Sequence, residues 1–168
     1  MPDTLLLGPN GWMPNNARLP ALLYRQAVTA TGPDPAQSFE ELFQRNGWPP
    51  QWRNGVYPFH HYHSTAHEVL GFAVGQARLI LGGEGGRAVD VAAGDVVVLP
   101  AGTGHFRRSA SRDLLVVGAY PPQQVADLLR GPATPQQLAA IAKVPLPATD
   151  PVHGRDGPLI GLWHRDVR

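Results

Sequence analysis

Residues 55–75, GVYPFHHYHSTAHEVLGFAVG, carry most of the information about the fold of this chain and about its site. The second half, residues 69–74, is an apolar run of strand length that ends at a glycine. The first half holds His61 and His63, which lie two residues apart. Because side chains alternate along a strand with a period of two, extended backbone here places both imidazoles on one face. Such a pair of imidazoles is a natural metal chelate.

The chain beyond this stretch alternates apolar pieces of strand length with turns rich in glycine. These pieces are residues 77–81, 88–91, 96–99 and 114–120. Short strands spaced about ten residues apart are typical of a sandwich or a barrel. The sequence therefore predicts an all-β domain over residues 48–120.

The first 47 residues are expected to form an N-terminal extension with one short helix. Ser38 and Glu41 have the spacing of a capping box, and Asn46-Gly47 is a plausible stop, which predicts a helix from Ser38 to Arg45. Residues 21–28 are apolar enough for a short strand or a helix, and the pattern does not decide between them.

Residues 121–168 are expected to form a C-terminal extension with two short helices and an extended tail that packs on the barrel. Val125, Leu128 and Leu129 share one helical face, which predicts the first of these helices. Thr134 followed by Pro135 is a good helix start, and the second helix is predicted to end at Lys143.

Composition narrows the chemistry that this chain can perform. The 168 residues include 19 glycines and 18 prolines, which argues against a helical bundle. Cysteine is absent, which excludes thiol nucleophiles, disulfides and iron–sulfur clusters. The net charge of +1 does not favour nucleic-acid binding. Without a signal peptide or a membrane-spanning run, we expect a soluble, cytoplasmic protein that binds neither nucleic acid nor membrane.

Two further residues can complete a metal site around the histidine pair. Glu68 follows His63 by five residues and can begin the next strand, and His105 follows a turn at residues 100–104. His67 competes with Glu68, but adjacent residues of a strand face opposite ways, so only one of the two points inward. The alternative is that the histidines are polar core groups without a metal.

The same spacings resemble the two motifs of the cupin superfamily. Residues 55–75 match the first motif, which is a glycine, five residues, His-x-His, three or four residues, Glu, six residues and a glycine. Residues 94–109 match the second motif at Gly94, Pro100, Gly102 and His105, but Ser109 stands where that motif has asparagine. Further stretches, including Tyr120-Pro121, are similar to the YjlB-like bacterial branch of cupins.

The resemblance implies a single double-stranded β-helix, a jelly-roll barrel of the RmlC-like type, with short helices in its two extensions. It also implies one divalent transition metal (Fe, Mn, Ni or Zn) per chain, and a homodimer. The implied metal ligands are His61, His63, Glu68 and His105.

Parity along the strands adds two candidates for the substrate pocket, Tyr57 and Arg107. An arginine beside the metal can hold a carboxylate or a phosphate. We therefore expect a metal-dependent enzyme that acts on a small polar or anionic molecule. The expected chemistry is that of a dioxygenase with Fe, or of an isomerase or decarboxylase with Mn, Ni or Zn. The alternative is a non-catalytic cupin that binds a metabolite or a metal.

Overall fold

The computed structural model describes residues 1–30 and 32–165 of the chain. The strands are β1 (Asp3–Leu7), β2 (Asn16–Tyr24), β3 (Pro50–Asn54), β4 (Glu68–Val74), β5 (Gln76–Leu81), β6 (Arg87–Ala92), β7 (Val96–Leu99), β8 (His105–Ala110) and β9 (Leu115–Ala119). The helices are α1 (Pro35–Arg45), α2 (Pro135–Lys143) and α3 (Pro158–Trp163). None of these helices is long and apolar enough to cross a membrane within the described residues.

The strands form two sheets in which every named pair of strands is antiparallel. The larger sheet has the strand order β1-β2-β7-β4-β9-β3, and the smaller sheet has the order β6-β5-β8. The predicted all-β class is confirmed, and the two sheets are those of a jelly roll. The runs predicted at residues 69–74, 77–81, 88–91 and 96–99 all lie in strands of these sheets. The run predicted at residues 114–120 contains β9 and extends one residue beyond it at each end, whereas β8 is not among the predicted runs.

Strand β4 lies inside the larger sheet and is buried on both faces. Leu70 and Phe72 belong to the apolar core that also includes residues of the smaller sheet. Val69 and Ala73 point the other way, into a second core that includes side chains of α1 and α3. A strand that is covered on both sides needs apolar residues at nearly every position, which explains the unbroken run in this sequence.

The N-terminal segment is part of the main sheet and not an appendage to it. Both β1 and β2 lie within the first 47 residues, and β2 pairs with β7. In the stretch 21–28, for which the pattern did not decide between strand and helix, residues 21–24 form the end of β2. Leu22 and Leu23 pair there with Val98 and Val97. The predicted boundary at residue 47 therefore separates segments of sequence that share one sheet.

The predicted capping box at Ser38 is wrong. Helix α1 begins three residues earlier, at Pro35, and Asp34 is its N-cap residue. Proline is favoured in the first helical turn because it needs no amide partner there. Ser38 and Glu41 consequently lie inside the helix, where they cannot cap its start.

The C-terminal segment has two helices, but one of them is not where the pattern placed it. Helix α2 has Thr134 as its N-cap residue, with Pro135 at its first position, and ends at Lys143, as predicted. The Thr134 side chain also forms a capping box with Gln137. The helix predicted around Val125 and Leu128 is wrong, because residues 124–128 have no regular secondary structure. The other helix is α3 in the tail, and residues 166–168 of that predicted tail lie outside the described residues.

Gly71 allows α1 to approach β4 closely, and it provides a test of this packing. A Cβ atom on Gly71 would lie 2.4 Å from Phe39 Cδ1 and 2.9 Å from Phe43 Cζ. Because both rings are fully buried, Gly71→Ala should lower the free energy of unfolding by about 1–3 kcal/mol. Denaturant unfolding measures this loss. Gly161→Ala is the control, since a Cβ atom there has open space, and equal stability of the two variants would contradict the packing.

Candidate metal centre

Three buried histidines meet at the end of the space between the two sheets. His61 and His63 lie in the connection between β3 and β4, whereas His105 begins β8. The backbones of His61 and His105 pair directly, with N–H to O distances of 3.2 and 2.9 Å. The ring centroids of His61 and His105 are 4.0 Å apart, and that of His63 lies within 5.5 Å of both.

Main-chain carbonyls orient all three imidazoles. The Nδ1 atoms of His61 and His105 each lie 3.0 Å from a carbonyl oxygen, those of Phe59 and Thr103 respectively. His63 Nδ1 bonds the carbonyl oxygen of Asp127. Because a carbonyl only accepts, each Nδ1 carries a proton, and Nε2 is the nitrogen of each ring that remains to bind a metal ion. One ring nitrogen from each of the three histidines lies within 4.8 Å of the other two, a spacing suited to one metal ion.

Glu68 places a carboxylate against two of these imidazoles. Its Oε1 lies 3.2 Å from His105 Nε2, and its Oε2 lies 3.5 Å from His63 Nε2. Burial alone would raise the pKa of this carboxyl, but His63 and His105 hold the pKa of Glu68 well below its usual range. Glu68 is therefore an anion next to the three imidazoles. A mixed set of imidazole and carboxylate donors fits Fe, Mn, Ni or Zn in the divalent state.

Burial and neighbouring charges shift the pKa values of His61 and His63 in opposite directions. Burial and the neighbouring His105 lower the pKa of His61 to about 3, so this ring stays neutral. Burial also lowers the pKa of His63, but the Glu68 carboxylate and the Asp127 carbonyl outweigh it and raise that pKa to about 9. The proton that His63 carries in the free protein is the one that a metal ion must displace.

A cavity of about 520 Å³ opens onto the three histidines and Glu68. Both predicted pocket candidates, Tyr57 and Arg107, line this cavity. Its other walls are mostly apolar, and they include Trp52, Val56, Pro58, Leu70, Ala126 and Leu128. The ring of Tyr57 meets that of His61 edge to face, with centroids 5.2 Å apart.

The structure separates His67 and His60 from the three-histidine cluster. His67 points to the opposite face of β4 from Glu68, where its ring lies 4.9 Å from that of Trp163. Its Nδ1 accepts a hydrogen bond of 2.9 Å from the amide of Ala101, and burial lowers its pKa to about 4. His60 packs against Phe106 with ring centroids 4.6 Å apart and the rings tilted at 40°. Neither histidine belongs to the metal-binding group found among the described residues.

Two residues of this site, Asp127 and Tyr120, were not predicted as site residues from the sequence. Asp127 supplies the carbonyl that orients His63, and it lies in the segment that was expected to be a helix. Tyr120 lines the cavity and accepts a 2.9 Å hydrogen bond from Trp52 Nε1. Burial and the nearby Glu68 carboxylate raise the pKa of Tyr120 above its usual value. These residues are far from the histidines in the sequence, and only the folding of the chain brings them to the site, so no sequence motif could have identified them.

Two facing antiparallel sheets with a histidine cluster at the mouth define a cupin-type protein. The family model described as Cupin matches residues 52–126. The chain is 38% identical over 163 residues to the "Uncharacterized protein YjlB" of Bacillus subtilis (strain 168), and the match covers 96% of each protein. The chain belongs to the cupin family and is similar to this relative over nearly its whole length.

Other similarities cover only parts of larger proteins. An "Oxalate decarboxylase" of Arthroderma benhamiae is 37% identical over 98 residues, which cover 54% of this chain but 23% of that protein. Among solved structures, Bacillus subtilis oxalate decarboxylase with its Mn(II) centres is similar at 16% identity and a TM-score of 0.39. That similarity covers 67% of this chain and 28% of the solved chain.

The contacts of His67 indicate a structural role that a stability measurement can test. His67→Ala would leave an empty space beside Trp163 and an unpaired buried amide at Ala101. We expect the free energy of unfolding to fall by about 2–4 kcal/mol, as measured by denaturant unfolding. The exposed His153 is the control, and His153→Ala should cost much less. Equal losses in the two variants would contradict this role.

Proposed function

We propose that this chain holds one divalent transition metal through His61, His63, His105 and Glu68. The observation that carries the proposal is the orientation of the three imidazoles, whose Nδ1 atoms all bond main-chain carbonyls. Free Nε2 lone pairs beside an ionised carboxylate are what a metal ion requires. With four protein ligands, an octahedral ion keeps two positions for a substrate or water.

We propose further that the site is catalytic and acts on a small molecule with a carboxylate group. A bound metal supplies Lewis acidity or, when it is redox-active, chemistry with O₂. Arg107 lines the same cavity, and no hydrogen bond or ion pair of its guanidinium is found among the described residues. That group is available to bind the carboxylate of a substrate. The partial similarity to an oxalate decarboxylase supports decarboxylation as the reaction.

The cavity favours a substrate larger than a two-carbon dicarboxylate. Its volume of about 520 Å³ lies in the range of pockets that enclose drug-sized ligands. Apolar side chains such as Val56, Leu70 and Leu128 form much of its wall. We infer a substrate whose anionic end meets Arg107 while an apolar part lies against this wall.

Elemental analysis of protein purified without an affinity tag tests the metal site. We expect about one divalent metal per chain in the parent, and almost none in the His61→Ala, His63→Ala double variant. Glu68→Gln should weaken binding more than the roughly 10- to 100-fold typical of lost outer-shell contacts. His153→Ala is the control because that histidine is exposed. A parent without metal, or a double variant that keeps it, would refute the ligand assignment.

The role of Arg107 is tested by binding of carboxylates to the metal-loaded protein. Arg107→Gln should weaken the binding of benzoate roughly 10- to 100-fold, because a charged hydrogen bond contributes about 1.5–3 kcal/mol. Binding of the neutral benzamide should not change. The neighbouring exposed Arg108 gives the matched control, since Arg108→Gln removes the same charge outside the cavity. Calorimetry measures both, and equal effects of the two substitutions would exclude a specific role.

The identity of the reaction follows from the metal and from the products. With Fe, we expect a dioxygenase that consumes O₂ in the presence of substrate. With Mn, Ni or Zn, we expect decarboxylation, detected as CO₂ release, or isomerisation. A panel of mono- and dicarboxylates that includes oxalate, followed by oxygen electrode and CO₂ assay, distinguishes these outcomes. Tight binding without turnover would support the alternative, a non-catalytic metabolite-binding cupin.

A further inference from the structure

A segment that follows the last strand is fastened along the ligand-bearing connection. We call residues 124–131 the strap. Its Leu129 exchanges two backbone hydrogen bonds of 3.0 Å with Tyr62, and its Gly131 carbonyl accepts a 2.7 Å bond from the Tyr62 hydroxyl. Gln124 Oε1 accepts a 3.0 Å bond from the amide of His67. The strap therefore runs beside residues 62–67 and forms part of the cavity wall.

Asp127 is the point at which the strap meets the metal centre. Its carboxylate accepts hydrogen bonds from both the amide (2.6 Å) and the hydroxyl of Ser64. Its own amide donates a 3.1 Å bond to Thr65 Oγ1. Its carbonyl oxygen bonds His63 Nδ1. One residue thus holds the backbone next to His63 and also the imidazole of His63.

This arrangement distinguishes His63 from the other two histidines. His61 and His105 are oriented by carbonyls two residues before them, on their own segments. His63 depends on a carbonyl that lies 64 residues further along the chain. Its orientation is therefore only as well defined as the attachment of the strap.

We propose that Asp127 is a positioning residue of the metal centre. By holding Ser64, its carboxylate keeps its main-chain oxygen on His63 Nδ1, and this directs His63 Nε2 towards the metal. The proposal rests on the metal site proposed above. Outer-shell partners of metal-bound histidines typically contribute 10- to 100-fold in metal affinity, which is roughly the size of the effect expected here.

Titration of the metal-free protein with Co(II), followed by visible absorption, tests the proposal without any assay of activity. We expect Asp127→Ala to weaken Co(II) binding roughly 10- to 100-fold and to change the ligand-field spectrum. Asp127→Asn should restore most of the affinity, because its amide oxygen can still accept from the amide of Ser64. Near-UV circular dichroism confirms that each variant is folded.

Two variants of the same region separate positioning from general stability. Tyr62→Phe removes the hydroxyl bond to Gly131 at the end of the strap and leaves the Asp127 contacts in place. Val125→Ala changes a strap side chain that is 78% exposed. Both variants should bind Co(II) with the affinity and spectrum of the parent. An Asp127→Ala variant that behaves like these two would overturn the proposal.

The remaining outcomes are also decisive. If Tyr62→Phe weakens Co(II) binding as much as Asp127→Ala, any loosening of the strap suffices and the specific role of Asp127 is refuted. If Asp127→Ala does not fold, Ser64→Ala replaces it in the test, because this variant removes the hydroxyl that donates to the Asp127 carboxylate. Unchanged Co(II) affinity of Ser64→Ala would then overturn the proposal. A parent protein that binds no Co(II) refutes the metal site itself, which is a different failure.

Discussion

The double burial of strand β4 is the constraint on which both the fold and the site depend. Because β4 lies between β7 and β9, its alternate residues must suit two different surroundings. Glu68 and Leu70 line the cavity, whereas Val69 packs in the core that includes α1 and α3. A slip of one residue would place the Glu68 carboxylate in that apolar core, where nothing pairs its charge. The cost of burying an unpaired charge therefore fixes the register of the strand.

The site uses main-chain oxygens to orient its donors, which makes it sensitive to backbone structure. His61 and His105 take their carbonyls from neighbouring residues, and their backbones also bond each other. This part of the site is complete once β8 reaches the connection before β4. His63 needs the strap as well, so the cluster is fully oriented only when the chain beyond β9 has folded back. If the proposed metal site forms, its affinity would therefore depend on how the C-terminal segment is docked.

The electrostatics of the cavity suit a metal ion and an anionic ligand together. The ionised Glu68 lies against the imidazoles of His63 and His105, which hold its pKa below its usual range. A divalent ion bound there would give the site a net positive charge of about one unit, because the three imidazoles are neutral ligands. The guanidinium of Arg107 adds a second cation on the wall of the same cavity. With the proposed metal bound, the site would favour an anionic ligand.

The sequence by itself determined the strands from residue 69 onward except β8, the turns between them and the identity of the candidate ligands. These features follow from local rules, because the period of two separates Glu68 from His67 without any knowledge of distant contacts. Only the tertiary structure decided the roles of β1, β2 and the strap. Residues 124–131 have an apolar pattern of helical period, yet their backbone groups bond to residues 62–67 instead of to one another. Whether these residues form a helix or bond to a distant segment depends on the tertiary structure, and the local spacing of apolar residues does not predict which of the two occurs.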